Sequence, residues 1–441
     1  MDLAELSVAS VVRAIAAGEI TSEELVRACL ARIDQREADV QAWMHLDPDH
    51  ALGQARAADD ARREGRTLGP LHGVPLGIKD VFDTADMPTE DGTPLHAGRR
   101  PLADATAVAL LRQAGAVILG KTVTTELAVY GPGKTRNPHD PAHTPGGSSS
   151  GSAAAVAAGM VPAALGSQTN GSVIRPAAYC GVCGYKPTFG LISRRGALAQ
   201  SRPLDHVGVF ARTVEDLALV AETLIAFDAG DGDTRPRARP HLGTVVLEEP
   251  PVEPRLAFVK TPMWDQAEAT TREAFAELVE HLAGVVAEVS LSHPFYKVVG
   301  WHRTIMFADL AKSFAAEYER GRDRLSDTLR GIIEEGQKVL AVDYNLAVER
   351  IPAVNAALNE VFARYDAILT PATTGEAPRG LESTGSPIFC TIWTYSGTPA
   401  VTLPLLEGPH GLPLGVQLVA ARGNDARLLR TAHWLVERVT K

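Results

Sequence analysis

The sequence predicts an α/β protein whose sheet is largely buried. Three observations carry that expectation. Short apolar runs alternate with longer stretches of helical period past about residue 66, as strand and helix units in alternation require. The length of 441 residues and the 45% apolar content allow a sizeable core, in one large domain or two or three ordinary ones. The longest apolar stretch, Ala153 to Leu165, is interrupted by Gly159 and Pro162 and falls short of the roughly 20 residues of a bilayer span.

The elements follow in order. Thr21 and Glu24 have capping-box spacing before the apolar positions Leu25, Cys29 and Ile33, so the chain opens with helices, and an Ala- and Arg-rich pattern predicts another from about Asp49 to Glu64. Val74 to Ile78 reads as a strand, Ala105 to Ala114 as a helix, Val117 to Leu119 as a strand and Ser152 to Ala158 as an Ala-rich helix. Gly, Pro, Asp and Arg dominate 229–254, which reads as loop. Beyond it come a strand at Leu256 to Val259, helical patterns from about Asp265 to Arg364, a strand at Ala367 to Leu369 and a last helix from Asp425 to Val439. There is no internal repeat. The expected organisation is a single domain over 1–441: N-terminal helices (1–65), a core (66–228), the loop (229–254) and a second half (255–441).

Composition excludes several function classes. With 43 Lys plus Arg against 53 Asp plus Glu, the formal charge is -10, unlike proteins that coat nucleic acid or anionic membrane with clustered cations. The N-terminus MDLAELSVASVV places acidic residues where a secretory leader carries a basic segment. Four cysteines, Cys29, Cys180, Cys183 and Cys390, make no disulfide framework in so long a chain. The expectation is a soluble cytoplasmic protein.

The segment from Pro145 to Gly190 is dense in Gly, Ser and Ala, a composition that lets backbone approach backbone or lets N–H groups surround an anion. Three readings compete. A phosphate loop lacks its pattern, since GGSSSGS carries no Lys after its last Gly and GVPLGIKD has the wrong spacing. Gly147 to Gly151 matches G-x-S-x-G, which would make Ser149 the nucleophile of an α/β-hydrolase with a distant His, yet loop composition precedes it where a strand should. The third reading joins Lys79, the Ser148 to Ser150 cluster and Ser172. A serine hydroxyl needs a base, and lysine serves only when uncharged. Keeping it neutral near pH 7 asks roughly 4 kcal/mol of its surroundings. Pro176 in a first helical turn puts Ser172 near a helix N-terminus, where free N–H groups favour an oxyanion. Each residue also has a bland alternative: Ser172 as an N-cap, Ser148 to Ser150 as a flexible loop, and Lys79 paired with Asp80 or Asp83.

The stretch PGGSSSGSAAAVAAGMVPAALGSQTNGSVIRPAAYCGVCGYKPTFG resembles the signature segment of the amidase signature family, serine hydrolases with a Ser, cis-Ser, Lys triad. LHGVPLGIKDVFDTADMPTEDGT resembles its lysine motif, and GAVILGKTVTTELA, TRNPHDP, ILTPA, GTPAVTLPL and GLPLGVQLVA resemble further segments over most of the chain. In its GGSSSG form and length the chain is similar to compact bacterial malonamidase-like members. The resemblance implies a large central mixed twisted sheet with helices on both faces. It also implies hydrolysis of a small amide or carbamate without cofactor or metal, and leaves a homodimer open. Ser172 would be the nucleophile, Ser148 the cis-serine relay and Lys79 the base, with the backbone N–H groups of Thr169, Asn170, Gly171 and Ser172 as oxyanion hole. A glutamine-dependent amidotransferase subunit would share this triad and is the alternative, beside the Ser149 esterase.

Departures from the family pattern are Ser150 in place of a glycine and Gly166-Ser-Gln-Thr-Asn-Gly-Ser172 in place of G-T-D-T-G-G-S. Gln168 removes a carboxylate, and the expectation is that a neutral Lys79 becomes easier to reach. Asn170 brings a side chain to the oxyanion loop. Cys180 and Cys183 have CxxC spacing without the second ligand pair of a zinc site, and no histidine pattern suggests a metal. Substrate contacts are expected from Tyr130, Ser149, Arg175 and Trp393, although structural pairing is the commoner role for such an Arg. The aromatic segment His293 to Tyr318, with Phe295, Tyr296, Trp301, Met306, Phe307 and Phe314, and Tyr395 beyond it, reads mostly as core with an apolar pocket in reach.

Overall fold

The computed structural model describes residues 2–291 and 293–440. Its strands are β1 (Trp43–Leu46), β2 (Pro75–Lys79), β3 (Val117–Thr122), β4 (Ala163–Gln168), β5 (Cys183–Lys186), β6 (His206–Ala211), β7 (Leu256–Val259), β8 (Val286–Val289), β9 (Ala367–Pro371), β10 (Ala400–Glu407) and β11 (Pro413–Val419). They form one sheet in the order β1-β3-β2-β4-β6-β5-β10-β11-β9-β7-β8. The sheet is mixed: β3, β2 and β4 run parallel at one end and β9, β7 and β8 at the other, while β6, β5, β10 and β11 join them by antiparallel pairs.

Alternate residues of β5 show how helices cover both faces. A Cβ on Gly184 would lie 2.5 Å from Ala177 in the Ile174–Cys180 helix, so that helix sits close against one face. On the other, Tyr185 donates its hydroxyl proton to Asp425 at 2.5 Å, at the start of the Asp425–Thr440 helix. The N-terminal capping box forms as expected: Thr21 and Glu24 exchange both bonds at the head of the Ser22–Val40 helix.

Three expectations are corrected. The 265–364 region is not wholly helical, because β8 lies within it; four residues with a half-buried pattern are too few to display a period. Besides β8, strands β1, β4, β5, β6, β10 and β11 add to the four foreseen, and β4 (AALGSQ) is built of small residues with no strand signature. The 229–254 segment is not simple loop: Leu242–Val245 is helical, with Leu242 fully buried, and Asp231 and Asp233 bond Arg194 of the core.

The Ser150–Ala157 helix lies so close to β3 that a Cβ on Gly151 would meet Ala42 O and Val123 N, each at 2.3 Å. Gly53, exposed in the Pro48–Arg63 helix, has nothing within 4 Å of that position. Urea unfolding should therefore separate the two: Gly151→Ala is expected to cost about 3 kcal/mol or more, and Gly53→Ala to add up to about 1 kcal/mol.

Candidate active site

Lys79 is the last residue of β2 and is completely buried. Its Nζ donates to Ser148 Oγ at 2.7 Å and to Ser167 Oγ at 2.9 Å. Among the described residues no carboxylate oxygen lies within the 4.0 Å of an ion pair. The pairing of Lys79 with Asp80 or Asp83 does not occur. Asp80 meets Lys121 at 3.2 Å and Asp83 meets Arg99 at 2.8 Å. Strand geometry explains the division: Lys121 lies opposite Ile78 in the β2–β3 ladder, so it shares a face with Asp80, while Lys79 points to the other. Burial holds the Lys79 amine well below the ordinary lysine range, opposed by the charges of Asp205 and Asp91.

Ser148 is buried, and the peptide bond joining it to Gly147 is cis. Arg175, expected at the substrate, is instead buried beneath this turn and donates to Gly147 O and Gly385 O, both at 2.7 Å. Ser149, at the head of the Ser150–Ala157 helix, donates to Ser167 O at 3.2 Å and accepts from Ser167 N at 3.3 Å. It is fully buried and no histidine touches it, so the elbow reading has neither its strand nor its base. Trp393 is likewise fully buried within the core rather than on a pocket wall.

Ser172 sits in the turn between β4 and the Ile174–Cys180 helix, and its hydroxyl has no hydrogen-bond partner among the described residues. The N–H groups of Thr169, Asn170, Gly171 and Ser172 also find no acceptor there, so four donors remain free in the loop that carries the hydroxyl. Side chains on every side hold this loop. Gln168 Oε1 accepts from Val173 N at 2.8 Å and Ile174 N at 3.0 Å, and its Nε2 donates to Thr394 Oγ1 at 2.9 Å. Thr394 in turn donates to Asn170 O. Asn170 donates to Tyr130 at 3.0 Å and accepts from Thr391 at 2.8 Å. Thr169 Oγ1 lies 2.6 Å from both Gln200 Oε1 and Asp205 Oδ1, and Thr169 O accepts from His302 Nε2 at 2.9 Å. Tyr130 therefore does reach the loop, through Asn170. A cavity of about 920 Å³ adjoins Ser167 and Thr169 on the side of Asp205.

The profile of the amidase family matches residues 24–429. The chain belongs to the amidase signature family. A glutamyl-tRNA(Gln) amidotransferase subunit from Chloroflexus aurantiacus is 36% identical over 97% of this chain and 96% of its own, and its counterpart from Symbiobacterium thermophilum 34% identical over 99% and 97%. Among solved structures, a chain of a vestigial protein complex, described as revealing the evolutionary origins of an s-triazine catabolic enzyme, superposes with a TM-score of 0.92, at 28% identity and 98% coverage of both chains. The peptide amidase of Stenotrophomonas maltophilia gives 0.86, at 30% identity over 99% of this chain and 97% of its own.

Within this amidase signature chain, sequence reasoning overlooked Ser167 and Asp205. Ser167 occupies the position of a hydroxyl residue in the family's G-T-D segment, a signal that could have marked it as the second acceptor for Lys79. Cys180 and Cys183 face carbonyls of Pro145 and Arg212 in the core rather than each other. Gln168 is on the opposite face of β4 from Ser167, so its side chain meets the Ser172 loop rather than Lys79. Gln168→Leu removes the acceptor for two buried N–H groups and is expected to cost about 2 to 4 kcal/mol in urea unfolding. Thr394→Val should cost less, and the double variant less than the sum, because the two share a bond.

Proposed function

We propose that this chain cleaves the C–N bond of a small amide or carbamate by acyl transfer to Ser172. The observation that carries the reading is the 2.7 Å bond to Ser148 from the buried Lys79, which has no carboxylate within ion-pair distance among the described residues. In this reading Ser172 Oγ attacks the carbonyl carbon, its proton passes to Ser148 Oγ, and the Ser148 proton passes to Lys79 Nζ. The N–H groups of Thr169, Asn170, Gly171 and Ser172 are the donors for the oxyanion, each worth on the order of 3 kcal/mol. The C–N bond then breaks as the proton returns through Ser148 to the leaving nitrogen, and water releases the acid by the reverse path. Neither a metal nor a cofactor enters these steps.

A second reading follows from the curated relatives, which favour it over a free-standing hydrolase. In this reading the same acyl transfer from glutamine supplies ammonia to a partner protein; it is supported by relatives that are named as subunits of a glutamyl-tRNA(Gln) amidotransferase. The chemistry at Ser172 is common to both. Glutamine hydrolysis that appears only when partner subunits are added supports the amidotransferase; turnover of short aliphatic amides, aryl amides or aryl carbamates by the purified chain alone supports the hydrolase. We place the protein in the cytoplasm, acting on a small molecule and, in the second reading, within an assembly.

Ser172→Ala and Lys79→Ala are each expected to lower kcat by about 10⁴-fold or more. Ser149→Ala should keep turnover within about 10-fold of the parent, as its hydroxyl serves only Ser167; abolished turnover there would instead restore the esterase reading. The pH profile has a definite sign. A base whose amine is depressed by burial is active above its folded pKa, so kcat/KM should rise from acid pH and level off well below the ordinary lysine range. An acid optimum would sink the mechanism.

A further inference from the structure

The charges that act on the Lys79 amine, Asp205 and Asp91, are not on its own strand. Lys79 bonds Ser167 near the end of β4, and Asp205, just before β6, bonds Thr169 just past that end. Gln168 pairs with His206 and Ser167 with Val207, so Asp205 lies across the ladder from Thr169. Ser167 and Thr169 are two residues apart and project from the same face, roughly 7 Å from each other. The amine and the carboxylate therefore stand at the two ends of one short row of hydroxyls. All three side chains of that row, Ser167, Thr169 and Asp205, border the 920 Å³ cavity.

Asp205 is anchored independently of Lys79. Its Oδ2 accepts from Gln200 N and Ser201 N, each at 2.9 Å, and its Oδ1 faces Thr169. Other charges nearby are already matched. Arg194 approaches Asp205 through the backbone carbonyl at 3.5 Å and is bonded to Asp231 and Asp233. Asp309 is bonded by Ser201 and Tyr344. Lys312 and Arg422 border the same cavity, and His206 beside it is held neutral by burial. Toward Lys79 the other contributor is Asp91, which His96 bonds at 2.9 Å and Arg99 approaches at 3.8 Å, while Asp80 and Lys121 pair on the far face.

We propose that Asp205 is a positioning residue for the reaction, the fixed counter-charge against which Lys79 takes up the serine proton. It touches neither Ser172 nor Ser148. It acts across the hydroxyl row, stabilising the ammonium that forms as Ser172 attacks while standing too far away to hold the resting amine as a salt bridge. Burial lifts its carboxyl to about 6, so it is ionised at neutral and alkaline pH, where the amine works. The inference rests on the reading of Lys79 as base.

The test is the rate of Ser172 modification by a fluorophosphonate probe, followed against pH. Asp205→Asn should move the midpoint of the profile acidward by roughly 1 to 2 pH units and lower the alkaline plateau by about 10-fold. Asp205→Glu, which keeps the charge, should hold the midpoint near the parent value. A merely structural role would lower the plateau and leave the midpoint in place, and that result overturns the proposal. Should the Asn variant fail to fold, Asp205→Ser, whose lost acceptors cavity water can replace, is read in the same way. Lys79→Met separates the two levels: labelling that survives it with the parent profile refutes Lys79 as base. Labelling abolished by it, together with an unmoved Asp205→Asn midpoint, refutes only the role of Asp205.

Discussion

The structure turns on a lysine buried among hydroxyls. A carboxylate within bonding distance would satisfy Lys79 and also fix its charge, which would rule out the proposed role as a base. Ser148 and Ser167 accept its hydrogen bonds without adding a negative charge. Burial can then lower its affinity for a proton while leaving no donor unsatisfied. The adjacent Asp80 would defeat this arrangement if it shared the face of Lys79. The two-residue period of the strand turns it away, and Lys121 on β3 engages it there. Small residues make the close approach possible: a Cβ on Gly166 would lie 2.7 Å from Ser149 Oγ, the hydroxyl that fixes the backbone of Ser167.

A second constraint is that the Ser172 loop is held from distant parts of the chain. Thr391 and Thr394, on the Ile388–Ser396 helix, bond Asn170 and Gln168 across more than two hundred residues. His302 reaches Thr169 from the Val298–Ser313 helix, and Tyr130 reaches Asn170 from the segment after β3. The order of the loop therefore depends on both halves of the chain folding onto one sheet. The 229–254 segment marks a change in composition, yet Asp231 and Asp233 tie it to Arg194 in the first half.

What was legible in the sequence was local. The Thr21 and Glu24 spacing led directly to a formed capping box, and the apolar run ending at Lys79 to a buried strand. Strand β7 has the bounds that its apolar run predicted. Contacts between segments were not legible. Nothing local to Arg175 says that its guanidinium will span from Gly147 to Gly385, and nothing in the Trp393 segment says that its helix faces the core on all sides. The small-residue strand β4 was invisible as a strand because its residues are chosen for the approach of their neighbours, not for β propensity. Ser167 was missed for the same reason: its role exists only once β2 lies beside β4.

Gln168 shows how a departure from a family pattern can be read physically. Two N–H groups at the start of the Ile174–Cys180 helix need an acceptor, which a carboxylate or an amide could provide. Thr394 distinguishes them. Its one proton goes to Asn170 O, so its oxygen is left to accept, and only the amide has a proton to give. A carboxylate at this position would turn the Thr394 proton toward itself and release the Asn170 carbonyl from its brace. It would also set a negative charge beside the N–H groups of 170–172, where an oxyanion must form in acyl transfer. The neutral side chain satisfies the same two donors, keeps the loop braced through Thr394, and leaves the field at Ser172 to the backbone.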